Sequence, residues 1–340
     1  MKKRHGSKKV HDVIIIGGGI AGLSCARRLQ DNGESFIMIT PEVGGRMLLS
    51  KKGDVNYGAY LVTDYYKNFN KYATLTKKIS FSDLKFHLGN RDYSFFNKYL
   101  FIYMGQLFRF YKTLYRFSRE YEKFRENSLI MSQKEALMKN DFLFNLYKQP
   151  AKKFVKRHKM EDIVNKVIGQ PVYAITFSSI KDGQAFSFFH ACLLLNSNMH
   201  EFKFDFEKIT KGYKKRIIND EIKSIKKEGE VYVLKGNAGR LYFSRKVVVA
   251  TPIQVSKKLL KLKKMNKVVN AYMYHLEGSI RKEWESKDFQ LFSPDHNVCV
   301  IARQTDKTFL VYSKKKPNLK RYFKKYKIIY KKSWRQHLLP

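Results

Sequence analysis

Cysteine is scarce in this sequence: three in 340 residues, Cys25, Cys192 and Cys299, far apart and with no Cys-x-x-Cys pair. That excludes a disulfide framework and a structural zinc site, and it points to a reducing, cytoplasmic setting. Acidic residues are also few, 29 Asp and Glu against 68 Lys and Arg. No window approaches the ~20 consecutive apolar residues that a membrane-spanning helix needs, so no transmembrane segment is expected. Missing too are His-Glu-x-x-His, Gly-x-Ser-x-Gly and any close group of histidines and carboxylates, which leaves metal-dependent hydrolysis and serine chemistry without support. His87, His190, His200 and His275 are scattered and read as exposed or singly hydrogen-bonded side chains.

What the chain does have is 44% hydrophobic and 15% aromatic residues, too many for a disordered basic tail protein. Its length suits about two domains with real cores. The formal net charge of +39 carries two readings. Of the 68 cations 51 are lysine, and Ile, Asn, Tyr and Phe are abundant too, as AT-rich codons alone would produce. Such a bias would raise Glu as well, which leaves open an anionic partner, either a membrane surface or nucleic acid.

The start of the chain mimics a secretory signal, with Lys2, Lys3, Arg4, Lys8 and Lys9 ahead of the apolar stretch Val13 to Ala26. Three successive glycines, Gly17 to Gly19, argue against it, because a signal helix gains nothing from glycine at its centre, whereas a strand turning sharply into a helix does. Val10 to Ile16 is a short β-branched run that reads as a strand buried on both faces. Gly17-x-Gly19-x-x-Gly22 follows at once, then Ile20 to Gln30 with apolar residues at helical spacing, an Asn32-Gly33 stop and a second strand from Ser35 to Thr40. In this βαβ context Gly17 makes the tight turn, Gly19 lets a pyrophosphate approach the backbone and Gly22 lets helix and strand pack closely. The amides around Ile20 and Ala21 and the positive end of the helix dipole then face the phosphates. A dinucleotide is the expected ligand.

Just past the second strand stands Gly44-Gly45-Arg46, and Gly53 to Thr63 reads Gly-Asp-Val-Asn-Tyr-Gly-Ala-Tyr-Leu-Val-Thr. With these residues the sequence resembles the FAD-dependent amine oxidase and phytoene desaturase superfamily, whose opening glycine motif is followed by Gly-Gly-Arg and then by an apolar-aromatic-Gly-Ala segment. The resemblance implies FAD as cofactor, with Gly44, Gly45 and Arg46 at its phosphates and Gly58 and Ala59 near the isoalloxazine. A guanidinium fork suits a diphosphate, and glycine lets a planar ring approach the backbone. One position departs from the family pattern. Where the superfamily carries a glutamate that accepts both ribose hydroxyls, this chain has Thr40, which offers one hydroxyl and no carboxylate. Either Glu42 substitutes or ribose binding is weakened.

A second block resembles the same superfamily. Ile217 to Ile225, Val231 to Leu234, Leu241 to Phe243 and Val247 to Ala250 read as short strands separated by turns. Val247 to Pro252 resembles the family's returning strand with its Ala-Thr-Pro end. The resemblance puts the backbone of Ile222 at the adenine and Ala250 and Thr251 at the cofactor. The expected fold class is α/β, a Rossmann-like FAD-binding domain with a discontinuous, largely helical substrate (cap) domain carrying a small β-sheet. Residues 1–64 and 206–265 are expected to form the FAD-binding domain, 65–205 the helical cap, 266–312 the substrate-domain strands and 313–340 a basic C-terminal segment.

Within the insertion, Phe96, Leu100, Tyr103, Leu107, Tyr111, Leu114, Phe117, Tyr121 and Phe124 step by three and four, while Phe95, Phe101, Phe108 and Phe110 lie off that stripe. Three readings stay open: a buried cap helix, an aromatic wall for a hydrophobic substrate, or a face that touches lipid with Lys and Arg at the headgroups. From Lys307 onward there are 12 basic residues and no Asp or Glu, a block that suits an anionic bilayer, a phosphate backbone or a solvated helix face. The segment Ser333 to Pro340 resembles a Trp-containing stretch that in the superfamily precedes a Gly-Asp or Gly-Glu motif at the flavin. The chain stops before that motif, so either a truncated product or an incomplete flavin site is expected. The expected function is an FAD-dependent, amine oxidase-like oxidoreductase that takes a hydride from a C–N or C–C bond of a hydrophobic small molecule, with no catalytic residue assigned. The alternative is a catalytically silent cationic flavin-fold protein, peripheral at an anionic membrane surface or bound to nucleic acid.

Overall fold

No residue of the run Val13–Ile16 is more than 5% exposed, and an unbroken apolar run of this kind belongs at the centre of a sheet covered on both faces. The computed structural model describes residues 9–53, 55–89, 91–181, 183–262 and 268–337. In it this run lies in β1 (Val10–Gly18), inside a six-stranded sheet. The order is β8 (Ile217–Asn219), β2 (Phe36–Val43), β1, β11 (Leu241–Val249), β10 (Val231–Lys235) and β9 (Ser224–Glu228). The first four strands are parallel and the last two antiparallel. Alternate side chains feed two cores. Val13, Ile15 and Met38 pack with Leu23 and Ala26 of helix α1 (Ile20–Asp31) on one face, and Ile14, Ile16, Ile37 and Ile39 pack with Leu234 and Leu259 on the other.

The two strands expected at Leu241 to Phe243 and Val247 to Ala250 are one. The start of β11 pairs antiparallel with β10 through Leu241–Ser244, and from Phe243 onward it pairs parallel with β1. Both partners need the same continuous backbone, so the charged Arg245-Lys246 step does not break the strand.

The chain divides into two units. The first, Met1–Val62, Tyr66–Lys77 and Glu201–Met265, holds this sheet. The second, Thr63–Tyr65, Lys78–His200 and Asn266–Pro340, holds a seven-stranded sheet. Its order is β16 (Phe323–His337), β12 (Val268–Ile280), β15 (Phe309–Ser313), β14 (Val298–Arg303), β13 (Phe289–Phe292), β5 (Leu84–Leu88) and β6 (Arg91–Ser94). A three-stranded sheet runs β3 (Val62–Thr63), β7 (Met199–Phe204), β4 (Ala73–Ile79). The second unit also holds the helix Met104–Asn127, whose Phe110 and Phe117 pack against Phe189 at ring separations of 5.9 and 6.0 Å.

The α/β class and the interrupted nucleotide-binding sheet are as expected from the sequence. Three details differ. Residues 65–205 are not helical throughout, because β4, β5 and β6 lie between Ala73 and Ser94; Leu84 and Phe86 alternate into the core at the strand period. Residues 66–77 and 201–205 group with the nucleotide-binding sheet. Residues 313–340 do not stand apart: β16 pairs along its length with β12 and forms the sheet's edge. Lysines suit such an edge, where charge discourages further strand pairing. The expected boundary at 265/266 and residues 338–340 lie outside the described residues. Among the described residues no helix is long and apolar enough to cross a membrane.

Candidate cofactor site

The three glycines of the first turn do different work. Gly17 has φ +109°, and a Cβ on it would sit 2.6 Å from the carbonyl oxygen of Ala250. At Gly22 a Cβ would lie 1.9 Å from the Gly17 carbonyl oxygen, so the absence of a side chain is what lets α1 press onto β1. Gly19 is the N-cap of α1 at φ −77°, and a Cβ there would meet nothing within 4 Å. Packing does not require glycine at that position; open space faces it. The amides of Ile20, Ala21 and Gly22 have no partner within their own helix. The N-cap residue offers no side-chain cap and the first turn has no acidic residue, so the helix itself does not compensate the positive end of its dipole.

Thr40 is buried, and its hydroxyl is committed. It accepts from the Gly18 amide at 2.9 Å and donates to the Glu42 carbonyl at 2.7 Å. The parallel register explains why: Ile16 faces Ile39, but Gly18 faces Val43, so β2 bulges between these points. Thr40 ties the bulge to the glycine turn, and the side chain of Glu42 is exposed at its rim. Gly18, which the motif reading passed over, is the hub. Its amide goes to Thr40, and its carbonyl accepts from the Gly44 amide at 2.8 Å.

The Gly-Gly-Arg turn follows directly. Gly44 at φ +120° and Gly45 at φ +58° swing the chain into a short helical turn, Gly45–Met47. A Cβ on Gly45 would lie 3.0 Å from Gly19 Cα, so the two glycine turns abut. Arg46 is exposed. Its carbonyl oxygen accepts from the Ala59 amide at 3.1 Å and would lie 1.7 Å from a Cβ on Gly58. The segment before them is anchored by Asn56 Nδ2, which donates to the Phe202 carbonyl at 2.7 Å. On the other side the Ala250 amide donates to the Ile16 carbonyl at 2.8 Å, and the Thr251 hydroxyl pairs with Ser256 Oγ at 2.9 Å.

The structure therefore brings together Gly17, Gly19, Gly22, Gly44, Gly45, Arg46, Gly58, Ala59 and Ala250. Ile222 sits on the opposite face of the sheet, buried with Ile14, Ile16 and Leu234. Its loop depends on Asp220, which the sequence did not single out. Asp220 accepts from the Glu221 and Asn237 amides at 2.7 and 2.9 Å and from the Tyr242 hydroxyl at 2.7 Å. The Tyr242 hydrogen bond, helped by those amides, holds the Asp220 carboxyl below its ordinary range. Tyr66 was missed as well. Burial raises its phenol pKa while the Arg46 guanidinium pulls it down, which puts the ring within electrostatic reach of Arg46 although 46% of it is exposed. A broad surface hollow lined by Asp205, Lys208, Thr210 and Gly212 is a separate feature. Gly212 faces Gln30 near the end of α1, about 15 Å along the helix from its first amides.

A diphosphate fits these residues: open space at Gly19, three amides, and an arginine on an abutting turn. Residues 15–74 match the NAD(P)-binding Rossmann-like domain family. No curated protein matches the sequence. Among solved structures the chain is similar to a triple mutant of putrescine oxidase from a redesign of cofactor binding, with a TM-score of 0.65 and 9% identity over 90% of this chain and 76% of that one. It is also similar to wild-type putrescine oxidase bound to putrescine, with a TM-score of 0.61 and 11% identity over 91% and 76%. For an oxidoreductase from Methanosarcina mazei the TM-score is 0.58 and the identity 12% over 96% and 88%. At these identities the likeness establishes a shared fold, and the fold expected from the motifs is borne out.

Proposed function

We propose that this chain is a flavin-dependent oxidoreductase that holds FAD at the glycine-lined start of α1 and takes a hydride from a C–N or C–C bond of an apolar small molecule. The observation that carries the proposal is the joined cradle. Gly19 abuts Gly45, Arg46 is bonded through its carbonyl to Ala59, and that carbonyl packs into the space a side chain at Gly58 would fill. The Gly-x-Gly-x-x-Gly turn alone serves either dinucleotide; the Gly-Gly-Arg and Gly-Ala segments joined to it are the ones whose resemblance points to FAD. The fold shared with putrescine oxidase supports the same choice.

When bound, FAD supplies the two-electron acceptor. The chain's own residues bind and orient it. The amides of Ile20, Ala21 and Gly22 donate to the diphosphate, and the Arg46 guanidinium neutralises it. Gly58 packs on the Arg46 carbonyl, and the Gly58-Ala59 backbone fixed by that contact would be the part of this segment near the ring. With Thr40 occupied by Gly18 and Glu42, the carboxylate of Glu42 is the acidic group on β2 left for the ribose. The many aromatic residues of the insertion between Phe95 and Phe124 favour an apolar substrate over a small polar one.

An absorption spectrum of the purified protein tests the reading. A yellow protein that retains flavin through gel filtration, and a colourless Gly19→Glu variant that is still folded, are expected. A colourless protein whose thermal stability is indifferent to added FAD overturns it and leaves the silent cationic protein in its place.

A further inference from the structure

We propose that the helical corner at residues 96–116 of the second unit docks this protein on the surface of an anionic lipid bilayer. Two helices, Lys98–Ile102 and Met104–Asn127, meet at Tyr103, whose φ of −108° and ψ of 29° break the run. Around this corner Phe96, Phe101, Ile102, Met104 and Phe108 are 72%, 74%, 60%, 58% and 71% exposed. The stepping pattern in the sequence puts Phe96, Tyr111, Leu114 and Phe117 on one stripe and leaves its direction open. The structure turns Phe110, Leu114 and Phe117 inward, each 0% exposed, and sets Met104, Phe108, Tyr111 and Tyr115 along a second, outward row at the i, i+4, i+7, i+11 spacing of one helix face.

Along the helix itself the charge beside this row has one sign, the nearest carboxylate from another element being Asp162, whose Oδ2 accepts from Gln106 at 2.8 Å. Between Asp92 and Glu120 the sequence has no acidic residue and five cations, Lys98, Arg109, Lys112, Arg116 and Arg119. Lys112, Arg116 and Arg119 flank the outward row at the same helical spacing. Most of this charge is not cancelled locally. Arg109 donates to the Lys159 carbonyl at 2.9 Å, and Arg116 lies over the Phe142 ring at 4.2 Å; among the described residues, Arg119 alone of the five meets a carboxylate, that of Glu120 at 3.2 Å. Large aromatic and aliphatic side chains that point outward beside uncancelled cations have the chemistry of an interfacial helix. The apolar row enters the acyl boundary while Lys and Arg meet the headgroup phosphates. No described helix can span a bilayer, so the contact is one-sided.

The basic strand β16 has more lysines, but its exposed apolar residues, Tyr326, Ile328 and Ile329, are only 37–47% exposed at a sheet edge. It offers charge without a protruding apolar row. The inference does not depend on the flavin reading, because its readout is partitioning.

Flotation with phosphatidylcholine vesicles that contain about one-third phosphatidylglycerol, at near-physiological salt, tests it. The wild-type chain is expected to float with these vesicles and not with pure phosphatidylcholine. The double variant Phe101→Ser/Phe108→Ser should partition about tenfold less or weaker still, since two large apolar side chains no longer leave water. Both residues are exposed, so its melting temperature should match the wild type. Leu129→Ser/Ile130→Ser, at the far end of the helix and 86% and 80% exposed, should float unchanged. A wild-type chain that does not float, or a Phe101→Ser/Phe108→Ser variant that floats equally well, overturns the proposal. Binding to single-stranded RNA in place of vesicles overturns it in favour of nucleic acid.

Discussion

Gly58 leaves no room for a side chain beside Arg46: a Cβ on it would lie 1.7 Å from the Arg46 carbonyl oxygen, and that same oxygen accepts from the Ala59 amide at 3.1 Å. Two motifs a dozen residues apart in sequence are thus tied through the backbone of Arg46, whose guanidinium is exposed. Gly58→Ala should force the turn apart, lowering stability by about 1–3 kcal/mol and releasing flavin. Arg46→Ala removes an exposed side chain and should change the stability of the cofactor-free protein by no more than about 0.5 kcal/mol, while FAD affinity falls at least about tenfold. Urea unfolding of the cofactor-free proteins, beside an FAD titration of each, separates the two effects.

Gly19 and Gly22 should part company in the same way. Gly19 has an ordinary φ and open space around its missing Cβ, so Gly19→Ala should cost the cofactor-free fold no more than about 0.5–1 kcal/mol, the difference between Gly and Ala at an N-cap. The new methyl stands where the diphosphate would approach, and affinity should drop. Gly22→Ala puts a methyl 1.9 Å from the Gly17 carbonyl, and the cofactor-free protein itself should lose about 1–3 kcal/mol. Equal losses of fold stability in both variants would show that the space at Gly19 is not a ligand site.

The glycine fingerprint was legible because each of its demands is local: a positive φ at Gly17 and a close approach at Gly22 are met within a few residues of chain. Asp220 was not legible, because its chief partner, Tyr242, is 22 residues away and nothing in the spacing marks either. Tyr66 was hidden for the same reason, standing 20 residues from the Arg46 whose charge acts on it. The long helix misled in another way. Aromatic residues cover most of its circumference, so its period shows a helix without showing which face is inward, and only the packing of Phe110 and Phe117 on Phe189 decides it. The lysines of β16 concealed a strand, since a sheet edge tolerates charge at nearly every position.

Thr40 should prove structural rather than ribose-binding. Its hydroxyl serves the Gly18 amide and the Glu42 carbonyl at once. Thr40→Val keeps the shape and leaves both groups unpaired, at a cost of about 1–3 kcal/mol; Thr40→Ser keeps the hydroxyl and should lose less. Ribose recognition should respond to Glu42→Gln instead, seen as weaker FAD binding with unchanged stability. If Glu42→Gln binds FAD as tightly as the wild type, Glu42 does not hold the ribose.

Acid should destabilise the protein in two separate windows. Burial lowers the pKa of His87 and His190 below the ordinary 6.5, so the unfolded chain takes up protons first as pH falls, and stability that is fully present above about 6.5 is lost below it. His87 is held neutral with its proton on Nε2. Gln290 Nε2 donates to the Lys287 carbonyl at 2.6 Å, which turns Gln290 Oε1 toward His87 Nε2 at 2.7 Å as an acceptor. Asp220 acts lower. Its carboxyl, depressed from 3.8 chiefly by the Tyr242 hydroxyl, stays ionised in the fold after the unfolded chain has begun to protonate, so its contribution is present above about pH 4 and disappears as pH drops through the folded value. Tyr242→Phe removes the largest cause of that depression. Urea midpoints across the acid range should show the variant weaker than wild type near neutrality and converging with it at the acid end, while the loss between about pH 6.5 and 5 stays the same in both. If the two curves run parallel down to the lowest pH, the Tyr242 hydroxyl is not what keeps Asp220 charged.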